Sequence, residues 1–218
     1  MIEQQLNIAF LSYWHAGTGS GSGYHLDALV YTDAEGLPRL PGRTIKGVIR
    51  DAFYRAEVWG WDGIEPNTTE LLFGSHLTSL TDSEESDIHL SQPGMLRFSD
   101  AQLSAADRFH LQGAAATSLR ERLFREHFST AIDATTGVAT EHSLRGMQVT
   151  IPLQLSASVM LQSTHVTADE QQQQRQQLLN RWPELMRRVL PLITNLGSHR
   201  HRGFGRAEVT LTDPQMEG

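Results

Sequence analysis

Two segments of helical period, each set between short strand-like runs, constrain this chain more than any other feature. From Pro41-Gly42 onward, apolar residues stand at Ile45, Val48, Ile49, Ala52 and Phe53. This i, i+3, i+4, i+7, i+8 spacing lays one apolar stripe along a helix. Leu178, Leu179, Trp182, Leu185, Met186, Val189 and Ile193 keep the same period behind Thr167-Ala168-Asp169-Glu170, which has the form of a capping box. Pro183 and Pro191 are expected to kink or break that second helix. Residues 6–14, 95–98, 150–161 and 207–211 are short apolar or alternating runs and read as strands. The order strand, helix, strand, strand, helix, strand predicts an α+β chain with a ferredoxin-like βαββαβ core of the RNA-recognition-motif type. At 218 residues it reads as a single domain, 1–218.

Two further segments are expected to interrupt this core. Residues 60–92 are polar and acidic and read as an inserted surface loop rather than core. A short helix is expected over 119–128, leading to a hairpin whose tip falls at Ala131-Ile132-Asp133-Ala134-Thr135-Thr136-Gly137.

The net charge of −7 argues against a polyphosphate partner only as an average. Between Glu65 and Asp107 eight acids stand against Arg97 alone, so this segment carries the whole deficit. Outside it two basic groups survive. One is Arg39, Arg43, Lys46, Arg50 and Arg55; the other is His199, Arg200, His201, Arg202 and Arg206. Lys46 is the single lysine among 18 basic residues. Arginine's planar fork suits phosphate and base stacking, and codon bias gives the same skew. The chain has no cysteine, which excludes thiolate metal sites and a cysteine nucleophile and fits a reducing compartment, the cytoplasm. No apolar stretch is long enough to span a membrane, and none is an expected partner.

Three places could carry chemistry. The glycine-rich residues 17–23 lack both the lysine and the following helix of a nucleotide-phosphate loop, so nucleotide binding by that route is rejected. Arg202-Gly203-Phe204-Gly205-Arg206 opens like an RNA-recognition signature but places arginine where an aromatic should stack. The simpler reading is a glycine turn whose amides and flanking arginines close on a phosphate backbone. His15, His25, Asp27 and Asp33 share a loop and could serve acid–base cleavage, or Asp27 could hold a divalent ion beside a scissile phosphate.

These residues carry a resemblance. His25-Leu26-Asp27-Ala28-Leu29-Val30-Tyr31-Thr32-Asp33, followed by Leu40-Pro41-Gly42-Arg43-Thr44-Ile45-Lys46-Gly47-Val48-Ile49-Arg50, resembles the N-terminal signature of the RAMP superfamily of CRISPR proteins, nearest to backbone subunits of type III effector complexes. Leu72-Phe73-Gly74, Phe98-Ser99-Asp100-Ala101, the Ile132-Asp133 to Thr136-Gly137 segment and a terminal glycine-rich loop follow in family order. The resemblance implies a subunit that lines up with copies of itself and with other effector subunits along a guide RNA (crRNA). A thumb hairpin, roughly residues 130–150, would be pushed between bases of the guide–target duplex. Sequence choice then belongs to base pairing. It also implies guide contacts from Arg43, Thr44, Lys46 and Arg50, and from the loop Gly197-Ser198-His199-Arg200 with Arg202, Gly203, Phe204, Gly205 and Arg206. Asp27 falls on the aspartate that supports cleavage of base-paired target RNA with a divalent cation, Mg or Mn. Arg43 stands where the family commonly has serine, and Met147-Gln148 replace a usual acid.

Three functions follow: a guide-binding subunit that cleaves target RNA at Asp27; a binding-only subunit; or a stand-alone, metal-independent guide-processing endoribonuclease using histidine. For the first two, the helix bearing Arg43, Lys46 and Arg50 and the arginine loop near the C-terminus are expected to converge on one RNA strand.

Overall fold

The computed structural model describes residues 3–22, 26–74, 93–162 and 169–213. His25, Thr167, Ala168 and the acidic residues 75–92 therefore lie outside the described residues. β1 (Glu3–Phe10), α1 (Gly42–Val58), α2 (Thr68–Phe73) and β2 (Leu96–Phe98) come first. α3 (Ala105–Leu111), α4 (Thr117–Glu121), β3 (Phe124–Ser129), β4 (Arg145–Thr150), β5 (Gln154–Leu161), α5 (Asp169–Val189) and β6 (Ala207–Thr212) follow. β2, β5, β1 and β6 form a four-stranded sheet in that order, antiparallel throughout. With α1 after β1 and α5 before β6, this is the ferredoxin-like connection pattern. β3 and β4 pair apart from it as a hairpin.

Alternation along each strand decides which face is covered. Leu6, Ile8 and Phe10 of β1, Leu155, Ala157 and Val159 of β5, and Val209 and Leu211 of β6 are buried. They share one core with Ile45, Ile49 and Phe53 of α1 and Trp182, Leu185 and Met186 of α5. The opposite positions, Gln5, Asn7, Ser156, Glu208 and Thr210, are polar and line a separate depression. No aromatic ring stands among them, unlike the stacking platform of an RNA-recognition motif.

α1 is held at both ends. Its Gly42 N–H donates to Asp100 Oδ1 at 2.8 Å, a cap supplied by the chain after β2 rather than by a neighbouring hydroxyl. It closes in a Schellman turn, Trp61 N–H to Ala56 O and Gly60 N–H to Glu57 O, both 3.0 Å.

Four expectations are corrected. The first strand stops at Phe10 rather than Trp14; Trp14 stays buried, stacks on Phe10 at 4.3 Å between ring centroids and pairs with Thr150. The run 150–161 is two strands, because the chain crosses between sheets over 151–153, around Pro152. The helix placed over 119–128 ends at Glu121, and Phe124–Ser129 is a strand because it pairs with β4, Phe124 opposite Thr150 and Ser129 opposite Arg145. Pro183 does not break α5, which continues to Val189; buried Trp182, Leu185 and Met186 hold the turn on which it lies, and Pro191 falls in the 3₁₀ turn that ends the segment. In addition, the stretch 60–74 is not all surface loop: residues 60–67 are turns, but Thr68–Phe73 is helix, Ile64, Leu71, Leu72 and Phe73 are buried, and α2 lies against α1. Among the described residues no helix is long and apolar enough to cross a membrane.

Candidate nucleic-acid interface

The exposed side of α1 follows from its period. Positions 43, 46, 47 and 50 fall opposite the buried stripe, whereas Thr44 stands about a quarter-turn away. Arg43, Lys46 and Arg50 make no hydrogen bond or ion pair with the described residues, while Arg55 on the same helix is paired with Asp51 at 3.2 Å. Burial, then the charge of Arg50, pulls the Lys46 ammonium below its ordinary range. Like charges gathered without a counter-ion destabilise the free protein, so they fit an external polyanion.

β2 adds a residue that the sequence reading did not select. Arg97 projects outward between buried Leu96 and half-buried Phe98, and with Arg43, Lys46 and Gln162 it lines a depression of about 460 Å³ floored by Phe73 and Phe98. Its signal was available: one cation alone in an acidic stretch, alternating with apolar neighbours.

The loop of residues 197–206 is tied to residues 12–15. Ser198 N–H donates to His15 O at 2.9 Å, Gly205 N–H to Tyr13 O at 2.7 Å and Arg206 N–H to Ser12 Oγ at 3.0 Å. These bonds push Arg200–Arg202, a 3₁₀ turn with no buried residue, into solvent. The guanidinium groups of Arg200, Arg202 and Arg206 have no partner among the described residues. Gly205 must be glycine: its φ is +69°, and a Cβ would overlap the Leu196 carbonyl oxygen. Phe204 meets the hairpin strand β3 edge-to-face at His127, 4.9 Å between centroids, and His199 at 6.3 Å. His127 was also missed in the sequence, because β3 read as helix.

The two basic groups do not merge. The loop leads into β6, one edge of the four-stranded sheet, and Arg43 and Lys46 face β2, the other edge. Three strand spacings, roughly 14 Å, separate those edges. No described bond joins the groups, so a single strand has to run across the end of the sheet to touch both.

Asp27 sits at the root of the hairpin. Its N–H donates to Gly146 O, and Gly146 N–H donates back to Asp27 Oδ2, both at 2.8 Å. Oδ1 lies 3.6 Å from the Arg145 guanidinium, with the two side chains 49% and 73% exposed. Among the described residues no group of three or more His, Asp or Glu forms a metal cage. The donor set therefore fits a hydrated hard cation only as one carboxylate that shares it with substrate phosphates, the usual habit of magnesium.

The companions of Asp27 have other work. Asp33 Oδ1 accepts from Glu35 N–H and Leu37 N–H, and its Oδ2 lies 3.6 Å from Arg108. His15 is 4% exposed, and its Nδ1 donates to Gln148 O at 2.6 Å, which fixes the tautomer because a carbonyl can only accept. Burial holds this imidazole's pKa below its ordinary value against the raising effect of that bond, and His199 adds to the lowering. A buried, neutral histidine with its proton committed to the backbone is poorly suited to shuttle protons at RNA.

The hairpin tip is ordered by its own side chains. Asp133 Oδ1 accepts from Thr135 N–H, Thr136 N–H and Thr136 Oγ1 at 3.0, 2.8 and 3.0 Å, which lowers the Asp133 pKa. Phe128, Ile132, Val138 and Leu144 stay exposed along the hairpin, an apolar set left uncovered by the described residues.

Two solved structures share this fold over nearly the whole chain. A chain of the cryo-EM structure of the type III-B Cmr-beta bound to cognate target RNA is 11% identical, with 97% of each chain covered and a TM-score of 0.63. A chain of the type III-B Cmr-beta in its apo state is also 11% identical, with 96% of this chain and 97% of that one covered and a TM-score of 0.62. No curated protein is similar enough in sequence to be matched. The model of the RAMP superfamily matches residues 7–208, from the middle of β1 into β6. With that match spanning nearly the whole βαββαβ core and the hairpin, the chain belongs to the RAMP superfamily.

Proposed function

We propose that this chain is a subunit of a type III CRISPR effector complex that binds guide RNA through its backbone, beside further copies of itself and other subunits. The observation that carries this reading is the set of unneutralised cations: the side chains of Arg43, Lys46 and Arg50 on α1 and of Arg200, Arg202 and Arg206 on the loop lack partners among the described residues, whereas Arg39, Arg55, Arg108 and Arg187 are paired. Such contacts grip phosphates and carry no sequence information. The exposed apolar residues of the hairpin suit insertion between bases, where flat π-faces replace water.

Target-RNA cleavage at Asp27 is the fuller form of the proposal. The half-exposed carboxylate beside Arg145 supports it. A hydrated Mg or Mn held there with substrate would offset charge developing at a scissile phosphate. Asp27 would hold that ion through Oδ1, and Arg145 would face the phosphate. The binding-only reading is favoured by one observation, the structural bond from Gly146 N–H to Asp27 Oδ2. The buried His15 disfavours a stand-alone histidine ribonuclease.

The binding reading is tested with single-stranded RNAs of unrelated sequence. Arg43→Gln, Lys46→Gln and Arg50→Gln should each weaken binding similarly for every sequence and lower the salt slope by about 0.7. Sequence-dependent losses, or no loss, would contradict it.

A further inference from the structure

We infer that Gly47 is the point at which the RNA backbone comes into contact with α1, and that its missing side chain is what admits the strand. This rests on the RNA-binding reading above and deepens it. Glycine is the poorest helix former after proline, because it surrenders the most backbone freedom on folding. Gly47 nevertheless occupies the interior of a 17-residue helix. Glycines in such places usually let another part of the fold come close or supply a positive φ. Among the described residues Gly47 has neither reason: a Cβ built there meets none of their atoms within 4 Å, and its φ is not positive. Gly42 on the same helix is different, since a Cβ there would crowd the Phe98 and Ser99 carbonyl oxygens at 2.6 and 2.7 Å.

What surrounds Gly47 on the exposed face is specific. Arg43 stands one turn before it, Arg50 nearly one turn after, and Lys46 beside it; none has a counter-ion among the described residues. Tyr54 follows two turns on, 60% exposed. Arg50, Gly47 and Tyr54 also border a depression of about 610 Å³ between α1 and the start of α2. Its far side carries Glu70 with Asp51 and Glu57, the latter two engaged by Arg55 and by the Asn67 and Thr69 amides, so phosphates have to keep to the Arg43 and Lys46 side of the stripe. Cation, bare backbone, cation and exposed aromatic along one stripe suit a strand with phosphates and flat bases. A phosphate reaching both Arg43 and Arg50 has to pass over the helix surface between them. A methyl group at position 47 would hold it off by about its own van der Waals thickness, which weakens charge-assisted bonds to both arginines at once.

The test uses the full chain and a labelled single-stranded RNA of mixed sequence. Gly47→Ala should raise the thermal midpoint by roughly 2–4 °C, because alanine is the better helix former and the site is open. The same substitution should weaken RNA binding about tenfold. Its salt slope should stay at the parental value because no charge is lost, whereas Lys46→Gln should lower the slope by about 0.7. A Gly47→Ala protein that is stabilised and binds RNA unchanged overturns the inference. So does a destabilised one, which would reveal a folding reason for the glycine. If Lys46→Gln also leaves binding and slope untouched, the RNA-binding reading itself fails.

Discussion

The Asp27 carboxylate and the Gly146 amide are joined by a 2.8 Å hydrogen bond at the root of the hairpin, and the Asp27 N–H returns a bond of equal length to the Gly146 carbonyl. The residue proposed for cleavage is thus also a clasp for β4.

Alanine at this position would remove both jobs at once, so asparagine is the informative substitution. Asp27→Asn keeps an oxygen to accept the Gly146 N–H and loses the charge that a cation requires. In the assembled complex with Mg or Mn, Asp27→Asn should bind guide and target as the parent does and cut target at least a hundredfold more slowly. Asp27→Ala should in addition speed hydrogen exchange at the Gly146 amide. Parental cutting rates in Asp27→Asn would make the residue a clasp alone.

His15 gives the fold an acid-sensitive component. Its pKa in the native state lies below that of the unfolded chain, so on acidification the unfolded chain takes up a proton that the native state resists. Stability from this group is complete at neutral and alkaline pH and is lost as pH falls through the ordinary imidazole range. His15→Asn can still place an N–H near the Gln148 carbonyl without titrating. Urea unfolding from about pH 7.5 to about pH 5 should show a shallower decline for His15→Asn than for the parent. Parallel declines would mean that His15 titrates alike in both states.

Gly203 and Gly205 separate conformational strain from steric overlap. Both have positive φ, +85° and +69°, but a Cβ at 203 meets nothing within 4 Å among the described residues. Gly203→Ala should cost roughly 1–2 kcal/mol, the penalty of a left-handed alanine. Gly205→Ala should cost at least about 3 kcal/mol, because the Leu196 carbonyl has to move as well. Denaturant unfolding of the two variants measures the difference, and equal losses would refute the overlap.

Residues 41–58 were legible because a helix is specified by its own spacing: Ile45, Ile49, Ala52 and Phe53 face the core as their period requires. The sheet order was legible from the succession of elements. β3 was not, because what makes Phe124–Ser129 a strand is pairing with Arg145–Thr150, some twenty residues away. Pro183 misled for a similar reason, since packing of Trp182 and Met186 outweighs one lost helical bond. In the site, charge pattern pointed to Arg43, Lys46 and Arg50, but lack of counter-ions is a three-dimensional property. Arg145 and His127 became visible only when the hairpin took its place, whereas Arg97 carried a signal in its alternation with apolar neighbours. Spacing likewise could not tell that the two basic groups stand at opposite edges of the sheet.

Residues 13–15 bond to the hairpin on one side and to the arginine loop on the other. Trp14 exchanges backbone bonds with Thr150 and His15 reaches Gln148, while Tyr13 and His15 carbonyls hold Gly205 and Ser198. A displacement at the root of the hairpin is thus handed on to the loop through three consecutive residues, as through a shared axle. The two arms cannot swing independently, and a load placed on one of them is felt at the other.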